Sequence, residues 1–168
     1  MLEYKEINPV DLNENTFKMI GKDFMLITAE NEGKVNAMTA SWGGLGVLWN
    51  MDVVFIFLRP QRYTKEFIDA TDSFSLTFYD DSYKKTLGYL GSVSGRDEDK
   101  IYNSNLTIGF DGKTPYFKEA EKVIICKKLF AQDLKEESFL DKNIINKDYP
   151  NKDFHTLYVG KIEKILIK

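Results

Sequence analysis

The sequence predicts a mainly β fold, an antiparallel barrel decorated with short helices. Three observations predict it. Six segments have the length and apolar pattern of strands. Short helical excursions lie between them, without the βαβα rhythm of a parallel sheet. Aromatic residues make up 14% of the 168 residues, which suits a β-rich core and also a protein that stacks on a flat ligand.

The first strand is Asp23–Asn31, and Glu32-Gly33 is a turn signal leading into Lys34–Ser41, so the pair reads as a hairpin. The next stretch, Trp42-Gly43-Gly44-Leu45-Gly46, reads as backbone that needs positive φ or close approach. Met51–Leu58 is a near-continuous apolar run, expected to be a strand buried on both faces and stopped by Pro60. Thr64–Ala70 reads as a short helix with Thr64 as its N-cap. Ser73–Tyr79 alternates, with Phe74, Leu76 and Phe78 on one side and Ser75 and Thr77 on the other. Tyr83–Leu90 and Asp97–Tyr102 look helical, and the cap of the second is Ser94 or Asp97. Lys122–Leu134 is a long strand with a bulge expected at Cys126–Lys128. Glu136–Lys152 reads as a loop with short helical turns, and His155–Ile167 closes the chain as a strand bulged at Gly160. With no repeat, low-complexity tract or linker, residues 1–168 read as a single domain.

Composition removes several function classes. A single cysteine, Cys126, forbids an internal disulfide and a cysteine-rich zinc site; it reads as an inert core thiol. A single histidine, His155, excludes a His-cluster metal centre within one chain. The net charge of −3 does not favour nucleic acid. No run approaches the ~18 apolar residues of a membrane span, and the N-terminus lacks a basic start before an apolar run. The expectation is a cytoplasmic protein that engages neither membrane nor nucleic acid.

Arginine usage points to a site. Of 23 basic residues only Arg59, Arg62 and Arg96 are arginine, and all three sit in two loops after apparent core elements. A guanidinium fork meets carboxylate or phosphate oxygens in pairs, which lysine cannot copy. Arg59-Pro60-Gln61-Arg62-Tyr63-Thr64-Lys65 holds three positive charges, no acid, and a hydroxyl at a helix start, a setting suited to phosphate. Solvated arginines at a strand end are the plain alternative. Ser92-Val93-Ser94-Gly95-Arg96-Asp97-Glu98-Asp99-Lys100 is either an anion cradle or an ordinary helix-capping turn. Asn36-Ala37-Met38-Thr39-Ala40-Ser41-Trp42 is either a strand edge that hydrogen-bonds a flat heterocycle, with Trp42 bordering it, or an edge with a polar face and a core tryptophan.

Taken in order, these three segments resemble the flavin reductase-like family, the FMN-binding split-barrel proteins that include flavoredoxin. The resemblance runs from about Asp23 to Ile167 and is nearer to flavoredoxin-like members than to the reductase components of two-component monooxygenases. It implies a homodimer built on a six-stranded antiparallel Greek-key split barrel with short peripheral helices, with FMN held noncovalently near the dimer interface. It implies that Asn36, Met38, Thr39, Ala40, Ser41 and Trp42 line the isoalloxazine and ribityl chain. Arg59, Arg62, Tyr63 and Thr64 would supply the phosphate end, and Ser92, Ser94, Gly95, Arg96 and Lys100 would close the same pocket. A phosphate monoester carries about −1.5 to −2 charges near pH 7, in keeping with these cations.

The same resemblance implies hydride transfer from NADH or NADPH to FMN, and onward transfer to a flavin or protein acceptor. Many nicotinamide-using members carry Gly-Asp-His before the last strand. This chain has Lys152-Asp153-Phe154-His155, without the glycine and with one residue inserted. Two functions therefore stand side by side: an NAD(P)H-dependent flavin oxidoreductase, and a flavoredoxin-like electron carrier fed by a redox partner protein. His155 is the candidate catalytic side chain, with a locally hydrogen-bonded strand-start histidine as the alternative.

Overall fold

The computed structural model describes residues 3–168. In chain order the strands are β1 (Lys5–Ile7), β2 (Met25–Asn31), β3 (Lys34–Ala40), β4 (Gly43–Leu48), β5 (Met51–Leu58), β6 (Ser73–Phe78), β7 (Ile108–Asp111), β8 (Thr114–Phe117), β9 (Lys122–Asp133) and β10 (Thr156–Ile167). The helices are α1 (Thr16–Gly21), α2 (Tyr63–Ala70), α3 (Lys84–Ser92), α4 (Lys100–Asn103) and α5 (Lys142–Asp148).

The expectation of six strands is corrected. Among the described residues the main sheet has eight, ordered β3-β2-β6-β9-β10-β5-β4 with β1 added alongside β10, and β7-β8 form a separate hairpin. Every pairing is antiparallel. The sheet is not a closed barrel, since β3 and β4 are its two ends and do not pair. Yet only Ser41 and Trp42 separate Ala40 from Gly43. Three Cα steps span at most ~11 Å, so the sheet must curl until its two ends nearly meet. The candidate site lies beside this two-residue link.

The elements missing from the sequence reading are short or glycine-rich: β1, α1, β4 and the β7-β8 hairpin. In β4 the glycines of the Trp42–Gly46 stretch allow close packing. A Cβ on Gly43 would lie 2.7 Å from the Phe55 carbonyl oxygen, and one on Gly46 would touch the Phe55 ring at 3.5 Å. The β2-β3 hairpin turns at Glu32 and Gly33, both at positive φ (52° and 80°), as the Glu-Gly signal predicts.

Alternation builds two apolar layers. Met25, Ile27, Phe74, Leu76, Ile124, Cys126 and Tyr158 fill the inside of the curl. Leu26, Val123 and Ile125 face outward, beneath Leu87 and Leu90 of α3, Ile101 of α4 and Phe117 of β8. Ser75 and Thr77 are fully buried on that outer side, where Ser75 Oγ donates to Pro115 O (2.6 Å) and Thr77 Oγ1 pairs with Tyr79 Oη (2.9 Å). The expectation that β5 is buried on both faces holds only in part. Val53, Val54, Ile56 and Leu58 are buried, but Phe55 and Phe57 are partly exposed.

The β9-β10 register does shift at Gly160, but the extra residue is Leu129, just beyond the predicted Cys126–Lys128. A second shift leaves Glu163 unpaired on β10. The cap assignments also move. Arg62 is the N-cap residue of α2, and Thr64 is two residues further in. Asp99 caps α4, its carboxylate accepting from the Tyr102 N–H at 3.1 Å, because the turn at Ser94–Asp97 delays the helix until Lys100.

Candidate functional site

Beside the Ser41-Trp42 link lies a cavity of about 450 Å³. Small-molecule sites occupy ~300–1,000 Å³. The end of β3 and the two-residue link supply Met38, Thr39, Ala40, Ser41 and Trp42; the loop after β5 supplies Arg59, Gln61 and Arg62; Phe57 and His155 complete the wall. A smaller recess of about 100 Å³ adjoins it, lined by Tyr63, Thr64, Ser92, Val93, Ser94 and Lys100. Met38, Gln61 and Arg62 border both spaces. The three segments singled out in the sequence thus meet in space.

Among the described residues, Arg62 and Lys100 make no salt bridge. Arg62 donates only to the carbonyls of Gly91 (3.0 Å) and Thr39 (3.4 Å). Lys100, 4% exposed, donates to the carbonyls of Leu90 (2.8 Å) and Val93 (2.9 Å). Burial, with Arg62 adding repulsion, pulls the Lys100 ammonium down from its ordinary 10.5 to about 8. Burial and then Arg59 likewise lower Arg62. A buried charge is strongly unfavourable unless matched, and backbone carbonyls alone match these two.

Arg59 and Arg96 are placed differently. Arg59 borders the cavity, but its guanidinium is engaged by Asp153 Oδ2 (2.8 Å) and the Asp148 carbonyl (2.7 Å), and lies 4.9 Å from the Tyr149 ring centroid. Gln61 Nε2 donates to the same Asp153 oxygen at 2.8 Å. Arg96 pairs with Glu66 and stacks 4.7 Å from the Tyr63 ring, so its charge is matched at the surface.

Asn36, Gly95 and Arg96 do not line the recess; they set its shape. Asn36 is buried, and its Nδ2 donates to Thr64 Oγ1 at 2.9 Å. A Cβ on Gly95 would collide with Asn36 Oδ1, so only glycine lets the Ser92–Arg96 loop lie against β3. Thr39 Oγ1 donates to Leu87 O at 2.6 Å, which ties β3 to α3.

His155 is 7% exposed, with its ring 5.0 Å from that of Trp42, which is itself 45% exposed. Its Nδ1 lies 2.7 Å from Tyr149 Oη. Burial, then the nearby Arg59, push its pKa down to about 4, so the ring is neutral at pH 7. The sequence reading missed Phe57, Gln61 and Tyr149. Gln61 stands between the two arginines already singled out, and Phe57 follows from strand alternation. Tyr149, in a stretch of weak pattern, gave no signal. Among the described residues, no group of three or more His, Cys, Asp or Glu side chains is placed to hold a metal, and no helix is long and apolar enough to cross a membrane.

Comparison against protein families matches the flavin reductase-like domain over residues 18–168. The chain belongs to the flavin reductase-like family. No curated protein sequence matches it. Among solved structures, this flavin reductase-like chain is similar to the FMN-binding protein from Thermus thermophilus with bound p-hydroxybenzaldehyde (20% identity, 100% of this chain and 82% of that one, TM-score 0.69). It is also similar to flavoredoxin from Methanosarcina acetivorans (23%, 96% and 76%, TM-score 0.68). A third is the Streptomyces globisporus C-1027 NADH:FAD oxidoreductase in complex with NAD and FAD fragments (13%, 87% and 74%, TM-score 0.65). These likenesses are likenesses of fold.

Proposed function

We propose that this chain is an FMN-binding flavoprotein oxidoreductase that passes electrons from NADH or NADPH to a flavin or protein acceptor. One observation carries the reading. Two cations without a carboxylate, Arg62 and Lys100, occupy a recess that opens from a larger cavity bordered by Trp42. That arrangement fits a flat ring with an anionic tail. The eight-residue α2 begins beside the recess with no side-chain cap on its N–H groups, which adds a partial positive charge.

FMN, when bound, supplies reversible hydride and electron transfer. The chain's residues supply the rest. Arg62, Lys100 and the α2 N-terminus would neutralise the phosphate, and Ser92, Ser94 and Thr64 would add hydroxyls at the recess. The end of β3, an edge strand, would offer backbone N–H and C=O groups to the polar part of the ring, and Met38, Phe57 and Trp42 would hold its apolar part. The fit is supported by the family match and by the cavity volume. Assembly as a homodimer accords with an exposed apolar strip where Trp49 packs on Phe130 (6.0 Å between centroids). Sedimentation at micromolar concentration tests it.

Arg62→Ala tests the phosphate assignment. Losing charge-assisted hydrogen bonds worth about 1.5–3 kcal/mol weakens FMN ~10–150-fold and leaves riboflavin nearly unchanged. Equal weakening of both ligands rejects the assignment. Direct use of a nicotinamide is read by anaerobic mixing of the yellow protein with NADH or NADPH, where rapid bleaching supports the oxidoreductase. Bleaching with dithionite alone instead supports a flavoredoxin-like carrier. The specific observation behind that second reading is Asp153, whose Oδ2 is engaged by Arg59 and Gln61 at the cavity wall.

A further inference from the structure

The aromatic cluster behind the cavity holds a feature that flavin binding as such does not require. Tyr149 follows α5, buried against Phe139 (5.7 Å between centroids) and Phe154 (5.0 Å), with Arg59 over its face. Its hydroxyl reaches one ring nitrogen of His155, Nδ1, at 2.7 Å. The other ring nitrogen, Nε2, has no hydrogen-bond partner among the described residues, is not sealed from solvent, and belongs to a ring on the cavity wall.

The tautomer follows from polar satisfaction. A neutral imidazole carries one proton, on Nδ1 or on Nε2. If Nδ1 held it, the Tyr149 hydroxyl would accept, and its own proton would be buried with no acceptor among the described residues. If Nε2 holds it, the hydroxyl donates to the Nδ1 lone pair and both groups are satisfied. Burial raises the Tyr149 phenol, so it keeps the proton it must donate. Burial first, and then Arg59 and Arg62 against the opposing Asp153, disfavour a cationic ring, which keeps the imidazole neutral.

We propose that Tyr149 is a positioning residue that holds His155 as the Nε2–H tautomer, so that the cavity presents a fixed neutral N–H donor to a carbonyl or ring-nitrogen acceptor on its planar occupant. The occupant's identity rests on the flavin reading above; the tautomer does not. A donor at an edge where negative charge grows on reduction stabilises the reduced form. Tyr149 would thereby act on the cofactor's potential without touching it.

The single histidine makes the test unambiguous, since ¹⁵N-histidine labelling gives ring signals from His155 alone. In the flavin-free protein at pH 7 we expect the Nε2–H tautomer in at least ~10:1 excess, falling roughly tenfold in Tyr149→Phe. A wild-type ring protonated on Nδ1, or a folded Tyr149→Phe protein with an unchanged ratio, overturns the proposal. Adding FMN should move the Nε2 signal more than the Nδ1 signal. Tyr149→Phe should lower the bound flavin's midpoint potential, but have no such effect in a His155→Gln background, where the amide donates without a tautomer. Retained yellow colour with an unmoved Nε2 signal overturns the donor role and leaves the flavin reading standing. Failure to retain FMN overturns the flavin reading, while the spectrum of the flavin-free protein still decides the tautomer.

Discussion

Lys100 and Arg62 face one recess with backbone carbonyls for partners and, among the described residues, no carboxylate between them. The loop after α3 and the loop after β5 bring them together, although they stand 38 positions apart in the chain. Their mutual repulsion is tolerable if a dianion sits between them. The Lys100 ammonium, held near 8 in the ligand-free protein, is mostly charged at neutral pH. Anion binding favours the charged form and raises that value.

FMN affinity relative to riboflavin should therefore fall as the pH rises above about 8, the value at which Lys100 discharges in the ligand-free protein. Lys100→Met should lower the ratio at pH 7 by about tenfold or more and flatten its dependence above pH 8. Fluorescence titrations of both flavins between pH 7 and pH 10 measure this. A wild-type ratio as flat as that of the variant would place the phosphate elsewhere.

Gly95 lies against Asn36, and Asn36 in turn holds Thr64. In Gly95→Ala the new methyl must displace the Asn36 amide or push the loop off Tyr63, whose Cδ1 would lie 3.2 Å away. Overpacking of this kind costs about 1–3 kcal/mol. The expected outcome is a lower urea midpoint together with weaker FMN binding, since one contact shapes both the core and the recess. Equilibrium unfolding with and without FMN separates the two effects.

His155 sets an acid limit on stability. Its pKa is about 4 in the folded chain against an ordinary value of 6.5. Between these values the unfolded chain binds more protons, so stability falls as the pH drops from 6.5 towards 4, by on the order of 3 kcal/mol. His155→Gln should lose less stability over the same window. Urea midpoints from pH 4 to pH 7 are the measurement, and parallel curves for the two proteins would show that other groups dominate.

Two glycines should respond in opposite directions. A Cβ on Gly160 would meet Phe74 Cζ at 2.6 Å and Cys126 Cβ at 3.1 Å, inside the curl. Gly160→Ala should destabilise by about 1–3 kcal/mol. Gly88 is exposed within α3, with nothing within 4 Å of a new Cβ. Gly88→Ala should stabilise by about 0.4–1 kcal/mol, through lower unfolded-chain entropy and better helix propensity. Thermal unfolding of both variants checks the pair.

Much of the sheet was legible because alternation and turn chemistry are local. Phe74, Leu76 and Phe78 declared their face by spacing, and Glu32-Gly33 declared its turn by residue type. β4 was not legible, because its glycines read as a loop until the ring and carbonyl of Phe55 are seen to need that space. The cap of α2 was misplaced by two residues because Thr64 serves Asn36, a partner 28 positions away, and not its own helix.

By itself the sequence determined that this is a mainly β chain with scarce arginines gathered in two loops, one sulfhydryl and one imidazole. It also carried the three ordered segments by which the family resemblance could be seen. Only the tertiary structure decided which cations stay unmatched. Arg59 found Asp153 and Arg96 found Glu66, whereas Arg62 and Lys100 found carbonyls alone. Charge pairing depends on distance and burial between elements far apart in the chain, and residue order carries neither. The same holds for Tyr149, which becomes visible only when the end of α5 folds under the start of β10.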